Sequence, residues 1–377
     1  MRLSYRPFAL WISAATAATS TSSVHCFQKS ATATASTAAF IGSRRLSSRP
    51  SSLIKTITTA NKTFLRMASS TSKDNSSRSG GDNKLLRVAL CQFYVTHNKE
   101  ENHKTAVDYV DRAVKEGAEV IVLPEIWNSP YATSAFPEYA ETLPQVGDDQ
   151  CPESPSSAIL MERAKQHNVF IVGGSIPEHE NNHVYNTCLV YDPSGKVVAK
   201  HRKVHLFDID VPGGITFFES DTLSPGNSLT TFSVPNKCDI GVGICYDIRF
   251  PEYAMMLCQS NSNCKLLLYP GAFNMTTGPA HWELLQRARA LDNQCYVATA
   301  SHARTEEADA SKDSKYPHYT AWGHSSVVSP WGDVVTKADE KEALVVYDID
   351  LDRVEEVRKG IPTSMQKRHD LYKLGKP

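Results

Sequence analysis

Short apolar runs recur along the chain from residue 86 onward, with polar segments between them. The runs consist mainly of Val, Ile, Leu and Ala, a pattern typical of strands buried on both faces of a sheet. They predict strands at 86–93, 118–124, 169–176, 239–245, 264–270 and 294–300. Shorter runs around residues 327 and 345 predict two further strands.

Segments with helical periodicity lie between these runs. Residues 98–117 place Ala106, Val110 and Ala113 on one face and end at Gly117, which predicts a helix. A second helix is expected to have Ser154 as its N-cap and Pro155 as its first residue. The other predicted helices cover about 251–259, 280–292 and a stretch after 351.

The middle of the chain has a different pattern, in which strand-like segments follow one another directly. Residues 184–191, 197–205 and 229–234 are strand-like, and the turn at 192–195 joins the first two, which favours antiparallel pairing. With the strands and helices on either side, this pattern predicts an α/β fold. The sheet is either one mixed sheet or two packed sheets, with helices outside.

The N-terminal composition differs from that of the rest of the chain. Residues 1–73 contain no Asp or Glu, and Ser, Thr and Ala dominate among scattered Arg and Lys. This is typical of an organellar targeting segment rather than of a packed core. A Ser- and Asn-containing linker follows, so we predict a targeting segment and linker at 1–83 and one domain at 84–377.

The expected destination of that segment is the mitochondrion, because its basic residues are spread along its whole length. Plastid import stays open, since the apolar run at 8–18 suits a bipartite signal. Met67, which Ala and Ser follow, could also start a shorter cytosolic form.

Charge and cysteine content exclude several classes of protein. The 40 basic and 41 acidic residues give no basic excess of the kind that nucleic-acid binders show, so no nucleic-acid partner is expected. No apolar run reaches the roughly 18 residues of a membrane span, so no membrane partner is expected either. The nine cysteines are scattered, odd in number and without a Cys-x-x-Cys pair, which argues against a disulfide scaffold.

Glu125 is the first residue with candidate chemistry. It follows the apolar run 118–124, which ends at Pro124, and therefore lies at the carboxyl edge of a predicted strand, where α/β folds build their sites. Partial desolvation there would raise its pKa toward that of a general base. On this segment alone, an exposed loop glutamate is the simpler interpretation.

Cys245 ends the apolar run 239–245, with Gly243 two residues before it and Pro251 opening a helix six residues after it. This order of strand, small residue, nucleophile and helix is that of a nucleophile elbow. Such a turn exposes the sulfur and offers the backbone N–H of Tyr246 to a developing oxyanion. A buried structural cysteine is the alternative.

Lys203 lies in the basic sequence HRKVH at 201–205, which interrupts a strand-like run. A cation here could lower the pKa of a nearby thiol or stabilise an oxyanion, whereas a solvated basic turn is the alternative. His201 and His205 have i, i+4 spacing, but the segment has no Glu-x-x-His context, so no metal site is expected.

An unassisted thiol would be a poor nucleophile here. With a pKa of about 8.5, only a few per cent of it is thiolate at neutral pH. A carboxylate base together with a cation would remedy this. A Cys–His pair is the commoner solution, and these residues alone leave open a pair that uses His302 or His324.

The chain from about residue 86 to 372 resembles the nitrilase superfamily of carbon–nitrogen hydrolases. The sequences LPEIW around Glu125, HRKVHLFD around Lys203 and GICYDIRFPE around Cys245 occur in the order of that family. The resemblance implies a Glu–Lys–Cys triad at these three residues and a second catalytic-site glutamate at Glu219. It also implies a four-layer αββα sandwich, a homodimer formed through the helix layer beside the active site, and no metal or organic cofactor.

The resemblance further implies a mechanism. Cys245 attacks an amide or nitrile carbon while Glu125 takes its proton, and Lys203 and the Tyr246 N–H hold the oxyanion. Ammonia leaves, and Glu125 activates the water that hydrolyses the thioester. Glu219 would position Lys203 or the substrate.

The segment 270–294 looks most like that of the omega-amidase branch, whose members hydrolyse the terminal amides of 2-oxoglutaramate and 2-oxosuccinamate. This likeness implies that Arg249 binds the carboxylate of a small oxoacid amide, a role that suits a planar guanidinium. Tyr131, Phe273 and Thr277 match other pocket positions.

Other readings stay open. A deaminated-glutathione amidase is the nearest enzymatic alternative, and other carbon–nitrogen hydrolases follow. A non-enzymatic scaffold is disfavoured because all four catalytic positions are filled. Residues 259–264 and 305–314 are longer than the omega-amidase branch would suggest, and both are expected to form surface turns.

Overall fold

The computed structural model of the protein describes residues 84–259, 263–305 and 314–375. The predictions for 1–83, and those for 260–262 and 306–313 within the two longer turns, lie outside these residues. The strands are β1 (Leu85–Gln92), β2 (Val120–Val122), β3 (Phe170–Val172), β4 (Ile176–Glu180), β5 (His183–Tyr191), β6 (Val197–Arg202), β7 (Asp208–Asp210), β8 (Thr216–Phe218), β9 (Thr230–Val234), β10 (Cys238–Val242), β11 (Cys264–Gly271), β12 (Tyr296–Ser301), β13 (Ser326–Val328), β14 (Val334–Lys337) and β15 (Ala343–Asp350). The helices are α1 (Lys99–Lys115), α2 (Phe136–Tyr139), α3 (Pro155–His167), α4 (Pro251–Gln259), α5 (Gly278–Asn293) and α6 (Leu351–Gly360).

Capping residues fix the starts of the two helices that cover the first sheet. The Asn98 side chain accepts hydrogen bonds from the backbone N–H groups of Glu100 and Glu101 at the start of α1. At the start of α3, Ser154 accepts from the N–H of Ser157, and Pro155 is the first helical residue. The predicted starts of both helices are therefore confirmed.

The strands form two large sheets and one small hairpin in the described part of the chain. The first sheet has the order β15-β1-β2-β3-β5-β4, and β6 also pairs with β5. The second sheet has the order β14-β13-β12-β11-β10-β9. The central strands β1, β2 and β3 are parallel, as are β10, β11 and β12. The hairpin β7–β8 was not predicted.

The two sheets pack against each other through their apolar faces. Val88 and Val122 of the first sheet share a buried core with Val242 and Leu268 of the second. On the other face of the first sheet, alternate residues such as Ile121 pack with α1 and α3. Helices α4 and α5 cover the second sheet in the same way. Two packed sheets with helices outside are thus the α/β arrangement adopted, and the predicted four-layer αββα sandwich is confirmed.

Two predicted strands end earlier than their apolar sequences do. The run 169–176 breaks after Val172, because Gly174 adopts a φ of +61° and a Cβ there would lie 2.0 Å from the Pro124 carbonyl oxygen. The run 239–245 leaves its sheet at Val242, so Cys245 lies beyond the strand. In addition, β9 pairs with β10 of the second sheet and not with β5 or β6.

Candidate active site

The three predicted triad residues follow the ends of strands from both sheets. Glu125 comes after β2 and Lys203 directly after β6, both in the first sheet, whereas Cys245 comes after β10 of the second sheet. Glu219 follows the short strand β8. The packing of the two sheets therefore brings together side chains that are far apart in the sequence.

Cys245 lies in a strained turn of the predicted kind. It begins a 3-10 turn, Cys245–Arg249, and its φ of 45° is in the left-handed region, which is uncommon for a residue with a side chain. A Cβ on Gly243 would lie 2.6 Å from the Tyr269 ring, so only glycine allows this close approach. The N–H of Tyr246 is among the groups that the start of a helical turn leaves without an intrahelical partner.

Glu125 is completely buried, and its two carboxylate oxygens have different surroundings. Oε1 accepts hydrogen bonds from Tyr131 Oη at 3.2 Å, Asn186 Nδ2 at 2.8 Å and Lys203 Nζ at 2.9 Å. Oε2 has no nitrogen or oxygen partner among the described residues, and the carboxylate contacts the Cys245 thiol. Oε2 is therefore the oxygen available to accept the thiol proton.

Lys203 is also completely buried, so it does not belong to a solvated basic turn. Its Nζ lies 2.9 Å from Glu125 Oε1 and 2.9 Å from Glu219 Oε2. Burial alone would lower the pKa of Lys203, but Glu125 and Glu219 raise it above its usual value. The ammonium group therefore stays charged beside the thiol.

The surroundings of Cys245 keep its thiol protonated before reaction. Burial and the charge of Glu125 raise the pKa of Cys245 well above its usual value, and Lys203 and the Ala272 N–H offset this only in part. Burial also raises the pKa of Glu125, and the charge of Lys203 opposes that rise. The carboxylate of Glu125 is thus more basic than an exposed glutamate. Transfer of the thiol proton to it during the attack fits this site better than a thiolate that exists before the substrate binds.

The Cys–His alternative is not the arrangement found. His302 Nε2 contacts the backbone oxygen of Glu125, and burial lowers the pKa of His302 to about 4. His324 Nδ1 lies 3.1 Å from the Ala338 carbonyl oxygen. Both histidines hold backbone groups in place.

Arg249 forms a second group with the aromatic residues that the sequence places in the pocket. Its guanidinium carbon lies 5.3 Å from the centre of the Tyr246 ring and 4.7 Å from that of Phe273. Nη1 lies 3.2 Å from His281 Nδ1, and Nε is buried without a hydrogen-bond partner. No carboxylate of the described residues pairs with it. Burial lowers the pKa of Arg249, so an anionic ligand would stabilise its charge.

The remaining two predicted residues have different surroundings. Tyr131 donates a hydrogen bond to Glu219 Oε1 at 2.8 Å and thereby joins the triad cluster. Thr277 is buried just before α5, and its hydroxyl lies 3.3 Å from Asn274 Oδ1. Tyr131 is thus linked to the carboxylates directly, whereas Thr277 shapes the start of a helix.

A cavity of about 670 Å³ lies against this cluster. Tyr131, His302, Tyr319, Arg304 and Lys341 are among its lining residues. The ring of Tyr319 stacks on that of Tyr131 at a centroid distance of 4.5 Å. The cavity therefore meets the triad cluster at Tyr131, whose hydroxyl lies within hydrogen-bonding distance of both carboxylates.

Two buried residues of the site were not predicted from the sequence. Asn186 donates to Glu125, and its backbone oxygen accepts from the N–H of Lys203 at 2.8 Å. Asp247 accepts hydrogen bonds from four groups around the Cys245 turn. The sequence offered one signal for each residue. Asn186 is a polar residue within a mostly apolar strand, and Asp247 is an acid two residues after Cys245.

Residues 84–259, 263–305 and 314–375 contain no cluster of three or more His, Cys, Asp or Glu side chains suited to a metal ion. In the same residues, no helix is both long enough and apolar enough to cross a membrane.

The chain is similar to known proteins over most of the described region. Residues 87–359 match the carbon-nitrogen hydrolase family. The chain is 52% identical over 289 residues to omega-amidase NIT2 of Xenopus tropicalis, covering 77% of this chain and 97% of that protein. It is 51% identical over 287 residues to omega-amidase NIT2 of Homo sapiens, covering 76% and 96%. The crystal structure of Saccharomyces cerevisiae Nit3, a member of branch 10 of the nitrilase superfamily, is 38% identical with a TM-score of 0.65 and covers 76% of this chain and 97% of that one.

Proposed function

The chain belongs to the carbon–nitrogen hydrolase family within the nitrilase superfamily, and from this premise we propose that it is an omega-amidase. It hydrolyses the terminal amides of 2-oxoglutaramate and 2-oxosuccinamate to 2-oxoglutarate or oxaloacetate and ammonia. Relatives that carry the omega-amidase name match the chain over nearly their whole length. The observation that carries the choice of substrate is Arg249, a half-buried guanidinium without a carboxylate partner four residues after the nucleophile.

The first half of the reaction forms a thioester. The Cys245 thiol gives its proton to Glu125 Oε2, and the sulfur attacks the amide carbon. Lys203 Nζ and the Tyr246 N–H hold the oxyanion that develops on the amide oxygen. The intermediate collapses with cleavage of the C–N bond, and the proton on Glu125 leaves with the nitrogen as ammonia.

The second half releases the acid. Glu125, again a carboxylate, takes a proton from water, and the resulting hydroxide attacks the thioester carbon. The C–S bond breaks, and the proton returns from Glu125 to the sulfur of Cys245. Glu219 holds Lys203 through both halves without attacking the substrate. The groups that act in these steps are side chains of this chain, the backbone N–H of Tyr246 and water.

Arg249 gives the reaction its preference for acidic amides. Its planar guanidinium can form two parallel hydrogen bonds to a carboxylate, and the neighbouring rings of Tyr246 and Phe273 limit the access of water to that pair. A terminal carboxylate on the substrate therefore supplies the charge that the pocket lacks. A neutral amide of the same length leaves the buried Nε without a partner.

One observation favours a second candidate, deaminated-glutathione amidase. The cavity of about 670 Å³ beside Tyr131 is large for a five-carbon oxoacid amide and suits a bulkier one. Its wall contains Arg304 and Lys341 as well as Glu340, and the two cations would favour an additional carboxylate.

The test compares the two substrates side by side. We expect the chain starting near Lys84 to release ammonia from 2-oxoglutaramate with a higher kcat/KM than from deaminated glutathione. A preference for deaminated glutathione would replace the proposed function with the second candidate. Absence of turnover with both would reject both.

The partner that we propose is a second copy of the chain, bound through the helix layer beside the active site. Helix α5 presents Leu284 and Leu291, seven residues apart, with 64% and 52% of their surface exposed. Its opposite face is tied to the Cys245 turn, since Arg289 donates to the Ile248 carbonyl oxygen at 2.8 Å. Light scattering should give twice the chain mass, and Leu284→Glu with Leu291→Glu should give the monomer mass.

For the location of the protein, we propose mitochondrial import through residues 1–83. The support is compositional, since residues 1–73 carry Arg and Lys but no acidic group. A fluorescent fusion of residues 1–83 should co-localise with mitochondria. Plastid signal would change the compartment, and a diffuse cytosolic signal would reject import by this segment.

A further inference from the structure

His201 and His205, which flank Lys203 in the sequence, both contact one buried carboxylate. His201 Nε2 lies 3.1 Å from Asp247 Oδ2, and His205 Nδ1 lies 2.7 Å from Asp247 Oδ1. The sequence around these histidines lacks the Glu-x-x-His context of a metal site, and no step of the reaction proposed above uses them. Their shared contact with Asp247 indicates a structural role beside the reacting groups.

Asp247 also binds two backbone N–H groups. The N–H of His205 donates to Oδ1 at 2.9 Å, and the N–H of Ile244, the residue before the nucleophile, donates to Oδ2 at 2.9 Å. The carboxylate is completely buried. It therefore joins the Cys245 turn of the second sheet to both ends of the segment that carries Lys203 from the first sheet.

The contacts of the cluster are consistent with this link. His201 Nδ1 lies 3.0 Å from the Thr230 hydroxyl, so both ring nitrogens of this buried histidine have a polar partner. Burial alone would raise the pKa of Asp247, but the hydrogen bonds from His201 and His205 hold it well below its usual range. Asp247 is thus ionised at neutral pH, where four groups contact its two oxygens.

We propose that Asp247, His201 and His205 are positioning residues that fix Lys203 relative to the Cys245 thiol. The ammonium must reach the oxyanion that forms next to the sulfur, and the two groups come from different sheets. A misplacement of about 1 Å can cost about 100-fold in rate. The inference rests on the proposed function only in that Lys203 and Cys245 act on an amide.

His205 allows the hydrogen bond to be separated from packing, because its ring also stacks on Phe250 at a centroid distance of 3.6 Å. His205→Asn keeps a donor at the position of Nδ1 but loses the stack. His205→Leu keeps apolar bulk but loses the donor. We expect kcat to fall at least about tenfold in the Leu variant and to stay within about threefold in the Asn variant. Because the Asn variant loses the stack, we expect it to have the lower Tm of the two. A kcat that follows Tm in the two variants would overturn the proposal.

Asp247→Asn tests the carboxylate itself, because the amide turns a donor toward groups that already donate. We expect kcat to fall about 100-fold with KM within about threefold. The matched control is Glu141→Gln, another buried carboxylate, which binds Ser156 and pairs with Lys99 at 3.0 Å on the outer side of the first sheet. It should lower Tm and leave kcat unchanged. An unchanged kcat in folded Asp247→Asn would contradict the proposal.

Alkylation of Cys245 by iodoacetamide, followed on the Cys245 peptide by mass spectrometry, needs no substrate. The thiol faces the charges and titratable groups of Glu125, Lys203, Arg249, Tyr131 and Tyr319. Since Lys203 lowers the thiol pKa, a displaced Lys203 should move the alkylation profile of Asp247→Asn and His205→Leu to higher pH.

Glu141→Gln and His205→Asn should keep the alkylation profile of the unmodified protein. Identical profiles in all four variants would count against a positioning role. If the wild-type protein does not hydrolyse 2-oxoglutaramate, the proposed function is wrong. The alkylation profiles would still test the role of Asp247, because they need no substrate.

Discussion

At the scale of single residues, the reactivity of the site depends on where one proton resides. Glu125, Lys203 and Cys245 are all buried, so their charges act on one another with little screening by solvent. Lys203 compensates two carboxylates, and the pKa values of Glu125 and the thiol are both raised. This arrangement favours a neutral thiol that gives up its proton as the sulfur attacks.

The first prediction concerns the nucleophile. Cys245→Ala should abolish turnover and should leave no acyl adduct after acid quench and mass spectrometry. Cys258→Ala should keep most of the activity, because Cys258 lies in α4, where it contacts the thiol of Cys264. Similar losses in both variants would mean that the nucleophile is misassigned.

The second prediction concerns the cation. Lys203→Met should lower kcat at least about 100-fold, as the loss of an oxyanion donor does. It should also lower the free energy of unfolding by about 3–5 kcal/mol, because Glu125 and Glu219 are left buried without compensation.

Lys337→Met is a suitable control for the cation, since Lys337 is exposed and pairs with Glu283 on the surface. Kinetics and urea unfolding measure both effects. A Lys203→Met variant with normal kcat would show that Lys203 does not stabilise the oxyanion.

That Glu125, Lys203 and Cys245 come together could be predicted from the sequence, but their hydrogen-bond partners could not. Glu125, Lys203 and Cys245 lie in motifs that are specific when they occur together and in order. Asn186 and Asp247 act through contacts that the sheet packing creates, and their positions in the sequence do not show which groups they contact. Likewise, the sequence HRKVH alone is compatible with a solvated turn. The structure shows that Lys203 within it is buried between the two sheets.

At the scale of elements, the ends of strands determine where the chemistry lies. β10 stops three residues before Cys245, and the 3-10 turn that follows turns the sulfur toward Glu125. Gly243 permits this course because its α-carbon faces the Tyr269 ring. The sequence predicted the small residue but placed the end of the strand at the cysteine, since Ile244 continues the apolar run without continuing the ladder.

The third prediction tests that turn. Gly243→Ala would place a Cβ 2.6 Å from Cε1 of the buried Tyr269 ring, so the ring or the turn would have to shift. We expect a loss of about 1–3 kcal/mol in the free energy of unfolding together with a lower kcat.

Gly360→Ala is the matched control for Gly243→Ala, because a Cβ at Gly360 meets no atom within 4 Å. It should change neither quantity. A Gly243→Ala variant that behaves like Gly360→Ala would show that the turn tolerates a side chain.

At the scale of the whole molecule, the αββα sandwich joins two halves of the chain into one site. The alternation of apolar runs and helices predicted the α/β class but did not distinguish one mixed sheet from two. The choice between one sheet and two depends on which strands pair. Strand β9 is an example, since it follows β5 and β6 in the sequence but pairs with β10 of the second sheet. Patterns within a strand carry no information about its neighbour.

The fourth prediction concerns stability against pH. Burial lowers the pKa of His302 to about 4, below the ordinary value of about 6.5, so the unfolded chain binds a proton that the folded protein excludes. Its contribution to stability is therefore complete above pH 6.5 and is lost as the pH falls toward 4, by up to about 3 kcal/mol.

In His302→Gln, the unfolding free energy should fall less steeply between pH 6.5 and 4 than in the unmodified protein. Denaturant unfolding at several pH values measures both slopes. Equal slopes would show that His302 is not buried in the neutral form.

The most direct test of the proposed omega-amidase is ammonia release from 2-oxoglutaramate and from a neutral amide of similar size, with the wild-type chain and Arg249→Ala. Loss of a charge-assisted pair costs about 1.5–3 kcal/mol, so kcat/KM for 2-oxoglutaramate should fall about 10- to 150-fold in the variant. The much lower kcat/KM for the neutral amide should change little. Equal losses on both amides, or a wild-type protein with no preference for 2-oxoglutaramate, would contradict the proposal that Arg249 selects an oxoacid carboxylate.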